Sequence, residues 1–301
     1  MSDDVTTQSI ESAPNRGSID AGTRRARLID DISIELLPEH VADFNPTPSL
    51  LPLGSYVFLT HIAGKPLELQ REAAGAIKRM GFEPVPHLAA RNFRSVDDYA
   101  AHVSELTKRG VETVLMIGGN PGPERAAMTC AADLLRQPFV RQSGLRRVFF
   151  GGHPEGHPNI PAQALKSALT EKVSLARELD LKPHVVTQFA FDGAIMARWA
   201  SDLRASGVDC PIRFGLAGVT SLTKLVRFAM LCGVGASLSA LTRQSGSILK
   251  AVREQDPGDV LKALELGTGA HLLEDVSLHF FPFGGWEKTL AWVARERKMQ
   301  Q

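Results

Sequence analysis

Residues 153–161 read HPEGHPNIP: two histidines, a glutamate and three prolines within nine positions, directly after the apolar run RVFFGG. Imidazoles and a carboxylate this close suit a metal site, a catalytic cluster or a loop that grips a bound molecule. His153 and His157 are four apart, as in helical zinc motifs, but Pro154 and Pro158 oppose a regular helix through them. The H-E-x-x-H pattern also needs its glutamate beside the first histidine, where Pro154 stands. The spacing favours a proline-braced loop that offers ring edges and backbone donors to a cofactor over a metal site.

Other polar groups stand at the ends of apolar runs. They are Glu35 in ISIELL, Thr60 and His61 after YVFL, His87 in VPHLA, and the turn Gly118-Gly119-Asn120-Pro121-Gly122 after VLMI. Gln188 and Asp192 lie in VVTQFAFD, and Thr220 and Ser221 follow FGLAGV. Polar groups inside apolar strands are costly to bury without partners, so their gathering at run ends is the main functional signal. Each also has a structural alternative. Glu35 pairs with a buried cation, His61 and His87 are satisfied core or rim histidines, Gln188 bonds neighbouring backbone, and GGNPGP is an ordinary tight turn.

The elements that must position these groups alternate in type. Strands are expected at 30–37, 55–62, 83–89, 112–119, 146–153, 184–192, 211–218 and 276–283, most of them nearly continuous in hydrophobicity, as for a parallel sheet covered on both faces. Helical periodicity separates them. It places Leu69, Ala73, Ile77 and Met80 on one stripe of 65–80, a Ser95 cap with Asp98 three residues on, and a stop at Gly110. ERAAMTCAADLLRQ, PAQALKSALTEKVSLARELD and DGAIMARWASDLRASG continue the pattern, residues 221–268 hold several helices, and WEKTLAWVARERK closes the chain. The first connection, PEHVADFNPTPSLLPLGS, reads mostly as loop. Eight strands, each but the first clearly followed by helix, predict an α/β fold, a single-domain (β/α)8 TIM barrel over residues 29–301. The rival, an open doubly wound sheet, would show a G-x-G-x-x-G turn after its first strand, and none is present. In such a barrel the chemistry sits at the carboxyl ends of the strands, where every group above falls.

Composition narrows the function classes. The 301 residues are 44% hydrophobic and carry a net charge of +1, so no strong field points to nucleic acid or a membrane surface. TRRAR at 23–27 reads as a solvated flank. The three cysteines are widely spaced and form no C-x-x-C, which fits a reducing, cytoplasmic compartment. No stretch has the roughly 18 continuous apolar residues of a membrane span. Residues 1–28, polar and without a signal-peptide pattern, are expected to form a disordered leader.

Taken in order, these residues resemble the methylenetetrahydrofolate reductase family, flavoprotein (β/α)8 barrels that interconvert methylene- and methyltetrahydrofolate. Ser33-Ile34-Glu35-Leu36-Leu37-Pro38 resembles the family's first strand, Val85-Pro86-His87-Leu88 its third, GGHPEGHPNIP its proline-glutamate-x-histidine-proline loop, Glu171-Lys172-Val173 the helix that follows, and Thr187-Gln188-Phe189-Ala190-Phe191-Asp192 its sixth strand. The resemblance implies FAD held by Thr60, His87, Gly118, Gly119, Asn120, His153, His157 and Lys172, with Lys172 near the phosphates. It implies that Gln188, Asn120 and Leu222 meet the folate and that Glu35 is the general acid. Such an acid needs burial to raise its pKa, and Ile34, Leu36 and Leu37 flank it. Implied partners are tetrahydrofolate derivatives, NAD(P)H or another electron donor or acceptor, and further copies of the chain. The chain's end at the last helix implies no C-terminal regulatory domain.

The sequence departs from the family pattern at three places. Asn120 stands where an aspartate is usual, Leu222 where bacterial members often have phenylalanine, and Gly285 near a common basic position. Losing the aspartate's charge makes a bound flavin easier to reduce. Together the departures put NADH use in question and suggest oxidation of methyltetrahydrofolate with another acceptor, in a catabolic direction. Two alternatives stay open: a corrinoid-linked pterin methyltransferase on the same barrel, and a non-catalytic folate-binding partner subunit.

Overall fold

A computed structural model describes residues 21–121, 126–234, 254–267 and 275–300. Its strands in chain order are β1 (Ile32–Leu36), β2 (Tyr56–Leu59), β3 (Glu83–Ala89), β4 (Thr113–Ile117), β5 (Arg147–Gly152), β6 (Lys182–Thr187), β7 (Ile212–Ala217), β8 (Thr220–Ser221), β9 (Glu254–Gln255) and β10 (Val276–Phe281). Strands β1 to β7 and β10 form a closed parallel barrel in the order β1-β10-β7-β6-β5-β4-β3-β2, while β8 and β9 pair antiparallel beside it. The helices are α1 (Ala21–Asp30), α2 (Leu67–Arg79), α3 (Val96–Lys108), α4 (Ala131–Leu135), α5 (Ala162–Glu178), α6 (Gly193–Ala205), α7 (Leu222–Cys232), α8 (Gly258–Gly267) and α9 (Trp286–Lys298). This is the (β/α)8 barrel that the alternation of apolar runs predicts, and each expected barrel strand is present.

The period of two along each strand divides the side chains between two cores. On β1, Ile32, Ile34 and Leu36 join the large core between sheet and helices. Their neighbours Ser33 and Glu35 therefore face inward. Phe58, Val85, Leu115, Phe149 and Val186 fill the barrel interior. Burying each such phenylalanine contributes about 2–3 kcal/mol. Gly215 on β7 gives this interior room, since a Cβ there would lie 2.8 Å from the Phe281 ring and 2.4 Å from the Thr187 carbonyl. At the amino end of the barrel, Arg213 Nη2 donates to both carboxylate oxygens of Asp31 at 2.8 and 2.9 Å, and its guanidinium covers the Tyr56 ring at 4.9 Å.

Several local expectations need correction. The leader does not run to residue 28: α1 begins at Ala21, and Leu28 and Ile29 are fully buried against the barrel. Arg25 is not a solvated flank, because it pairs with Glu296 and, at 3.2 Å, with Glu265. The buried stripe of α2 is Gln70, Ala73, Ala74 and Ile77, whereas Leu69 is half-buried and Met80 exposed. The apolar register leads from Ala73 and Ile77 to Gln70, and its polarity hid it from a hydrophobic count. α4 is shorter than its pattern, only five residues. The loop after β1 contains one 3-10 turn, Pro38–Asp43, in agreement with its proline content. Of the several helices expected over 221–268, α7 and α8 are seen, and residues 235–253 and 268 lie outside the described residues, as do Gly122 and Glu124.

Candidate active site at the carboxyl mouth of the barrel

Glu35 points from β1 into the mouth, and its Oε2 lies 3.5 Å from Nε2 of His87 on β3. About a fifth of the Glu35 side chain stays exposed, against a tenth for His87. The two do not form an ion pair. Burial pushes the Glu35 carboxyl up to about 8 and the His87 imidazole down to about 3, so both are neutral near pH 7. His87 Nε2 is buried and has no hydrogen-bond partner. The Phe58 ring lies beneath, edge-to-face with His87 at 6.1 Å and with His279 at 4.5 Å. Among the described residues no lysine or arginine pairs with Glu35, and the one basic side chain beside it is His87.

The end of β2 supplies Thr60, whose buried Oγ1 also lacks a partner. His61 instead takes the structural role, its Nδ1 accepting from the Ala89 N–H at 3.2 Å and its carbonyl from Asn92 Nδ2 at 2.9 Å. Behind these strand ends the Gln70 amide donates to the carbonyls of Leu59, Thr60 and His87. After β4 the Gly118–Asn120 segment is held by Arg91. The Arg91 N–H donates to the Gly118 carbonyl at 3.0 Å and its Nη1 to the Gly119 carbonyl at 2.8 Å. Gly119 has φ +75°, and a Cβ there would sit 3.0 Å from Ala89 Cβ, so glycine is required by both conformation and space. Asn120 is exposed at the tip. Gln70 and Arg91 escaped the sequence reading, and only Gln70 left a signal, a polar residue in phase with a buried stripe.

The histidine-rich loop leaves β5 as foreseen, without a helix through its prolines. His153 and His157 meet edge-to-face with ring centroids 5.5 Å apart. His157 Nδ1 accepts from the Asn159 N–H at 3.2 Å, and burial holds the His153 imidazole down at about 4. From α5, the Lys172 ammonium lies 5.4 Å from the Phe150 ring centroid, and burial lowers it to about 8. Its neighbour Glu171 is turned away to Arg136. Among the described residues no group of three or more His, Cys, Asp or Glu side chains is arranged to hold a metal ion.

Gln188 follows β6, its N–H on the Gly152 carbonyl at 2.8 Å and its Oε1 accepting from the Phe189 N–H at 3.1 Å. The neighbouring-backbone alternative therefore describes its oxygen. Asp192 caps α6 by accepting from the N–H groups of Ala194 and Ile195, a structural duty. Leu222 is buried at the first turn of α7, behind the Ser221 cap. Burial raises the Cys232 thiol on α7 to about 11, with the Glu35 charge a lesser cause. Phe189, Phe281 and Phe283 pack with Phe228 of α7 into an apolar wall, with Phe228 and Phe283 stacked at 4.1 Å. The mouth thus joins a polar side, β1 to β5, to an aromatic one at β6, β7 and β10.

Residues 53–251 match the family model described as methylenetetrahydrofolate reductase. The chain belongs to the methylenetetrahydrofolate reductase family. The matched stretch contains every named flavin-side and folate-side residue, but Glu35 on β1 precedes it. A probable methylenetetrahydrofolate reductase (NADH) of Oryza sativa subsp. japonica is 22% identical over 68% of this chain and 36% of its own length. A 5,10-methylenetetrahydrofolate reductase of Pectobacterium carotovorum is 24% identical over 68% of this chain and 69% of its own. The chain therefore spans little more than a third of the rice relative. Among solved structures, an uncharacterized protein from Clostridium thermocellum that binds two copies of 5-methyl-5,6,7,8-tetrahydrofolic acid superposes with a TM-score of 0.60 at 13% identity. The superposition covers 91% of this chain and 98% of that one, a likeness of fold. No described helix is long and apolar enough to cross a membrane.

Proposed function

We propose that this methylenetetrahydrofolate reductase family member is a flavin-dependent oxidoreductase that interconverts 5,10-methylenetetrahydrofolate and 5-methyltetrahydrofolate, with FAD as its cofactor. The carrying observation is the Glu35–His87 pair, a carboxyl kept neutral by burial at the mouth of the barrel. When bound, FAD supplies two-electron chemistry.

The residues present fit that group. Thr60 Oγ1 and His87 Nε2 are buried polar atoms with no partner in the protein. Gly118 and Gly119 let the loop pack against Arg91 and Ala89 where a Cβ would stand, which fixes its course at the mouth. Lys172 is a desolvated cation whose neighbouring acid is engaged elsewhere, which suits a phosphate. Thr60, His87, Gly118, Gly119, Asn120, His153, His157 and Lys172 would hold the cofactor.

Glu35 supplies the proton. Opening the methylene bridge leaves a nitrogen that must be protonated as the bond breaks. A carboxyl with an ordinary pKa is protonated at pH 7 in well under about 1% of molecules. Glu35 stays protonated up to about 8 and holds its proton where the folate would meet it. In the oxidative direction the carboxylate takes that proton back. Gln188 would present its NH2 group to the pterin, since its oxygen is already engaged. Leu222 would contribute apolar surface beside it. Asn120 in place of an acid, together with Leu222, supports an electron partner other than NADH and operation toward methyltetrahydrofolate oxidation.

The purified protein should show a flavin absorbance spectrum that bleaches on anaerobic addition of methyltetrahydrofolate. A colourless protein that takes up no added FAD would sink the proposal. Rapid bleaching by NADH would remove only the alternative electron partner.

A further inference from the structure

We propose that Gln70 is a positioning residue of this site, a splint reaching inward from α2 that fixes the ends of β2 and β3 and so sets where Thr60 and His87 stand relative to Glu35. The inference rests on the proposed role of Glu35, and it comes from the hydrogen-bond accounting at those strand ends. The β2–β3 register ends at the pair of Leu59, the last residue of β2, with Pro86. There side chains take over. The buried Gln70 Nε2 spreads its two hydrogens over the carbonyls of Leu59 at 3.0 Å, Thr60 at 3.0 Å and His87 at 3.1 Å.

A second chain of bonds fixes the amide itself. Arg71 Nε can only donate, and it lies 3.0 Å from His102 Nδ1, so that nitrogen is the acceptor and the proton sits on Nε2. His102 Nε2 then donates to Gln70 Oε1 at 2.9 Å, leaving the amide nitrogen aimed at the strands. Burial and the Arg71 charge hold His102 neutral, down at about 3, with His61 and Arg109 as the other titratable groups near it. Among the described residues His87 from β3 is the titratable group beside Glu35, and Cys232 on α7 feels its charge more weakly. If the strand ends slacken, water reaches Glu35 and its carboxyl moves back toward the ordinary range.

The test is Gln70→Leu in the full chain, with the Glu35 carboxyl titrated by infrared difference against Glu35→Gln. The parent midpoint is expected near 8 and the Gln70→Leu midpoint lower by about one unit. With FAD bound, kcat should fall by roughly tenfold to a hundredfold while the folate KM changes little, as for a misplaced acid. His102→Phe should act in the same direction more weakly, and the double variant should be no worse than Gln70→Leu alone. If Gln70→Leu does not fold, His102→Phe carries the same two readouts. A lower melting temperature with an unmoved Glu35 midpoint and unchanged kcat would overturn the positioning role. A parent that never turns over folate, but whose Glu35 midpoint still moves on Gln70→Leu, would sink the proposed reaction and leave the splint standing.

Discussion

Two clusters of desolvated imidazole lie on either side of β2 and β3, and their bonding differs. In the helix layer, His102 uses both ring nitrogens, one accepting from Arg71 and one donating to Gln70. In the mouth, His87 Nε2 has no partner, and neither does Thr60 Oγ1 beside it. His87 belongs to both regions: its carbonyl is held by Gln70 while its ring faces Glu35 across 3.5 Å. Burial is the largest cause that depresses both histidines to about 3, so a shifted pKa does not tell them apart. Satisfaction does. A buried network with its bonds made specifies structure, whereas His87 Nε2 and Thr60 Oγ1 are left open together at the mouth.

The largest expected effect comes from removing the acid. Glu35→Gln should retain flavin and its reaction with a reductant but lose folate reduction by about three orders of magnitude, measured in separate anaerobic half-reactions. Full turnover by that variant would refute the proton-donor role and make the mouth no different from the network behind it. The same carboxyl should govern stability. Its folded pKa of about 8 lies above the ordinary value of 4.5, so the folded state holds the extra proton in between. The Glu35 contribution to stability is then greatest below about 4.5, falls as pH rises to about 8, and is flat above, while the lowered imidazoles of His87 and His102 act in the opposite direction below about 6.5. The Glu35 share of that fall is on the order of 5 kcal/mol, and urea melts of parent and Glu35→Gln across that window should show it only in the parent.

The imidazoles give a sharper contrast. His102→Phe strands the Gln70 oxygen and the Arg71 donor in the interior and should cost about 2–3 kcal/mol in chemical denaturation. His87→Phe removes an atom that bonds nothing and should change stability by less than about 1 kcal/mol, while weakening flavin retention. Equal losses would erase the distinction. The smallest change expected is Asn120→Asp. The residue is exposed, so a restored negative charge should lower the potential of bound flavin by only about 20 mV in spectroelectrochemical titration.

Much of this was legible in the chain. The strand at Glu83–Ala89 fell at its expected bounds, the Ser95 cap receives the Asp98 N–H at 3.0 Å, and WEKTLAWVARERK is α9. Glu35, Thr60, His87, Gly118 and His153 all lie at strand ends, as their places after apolar runs implied. Less was visible where one chemistry serves two ends. Asp192 and Gln188 look alike as polar tails of a strand, yet one caps a helix and the other turns its oxygen to the next backbone N–H. The α2 stripe was misphased because a glutamine occupies a core position.

By itself the sequence determined the barrel, because hydrophobic period and turn chemistry are local properties that each segment expresses on its own. It also determined which groups could stand at the mouth, since strand ends follow from where apolar runs stop. Only the tertiary structure decided which of those groups have partners. Hydrogen bonds such as His102 to Gln70, 32 residues apart, and contacts such as Glu35 to His87 depend on how distant segments close upon each other. Whether a buried polar atom is satisfied is a fact about its neighbours in space, and no single segment carries it.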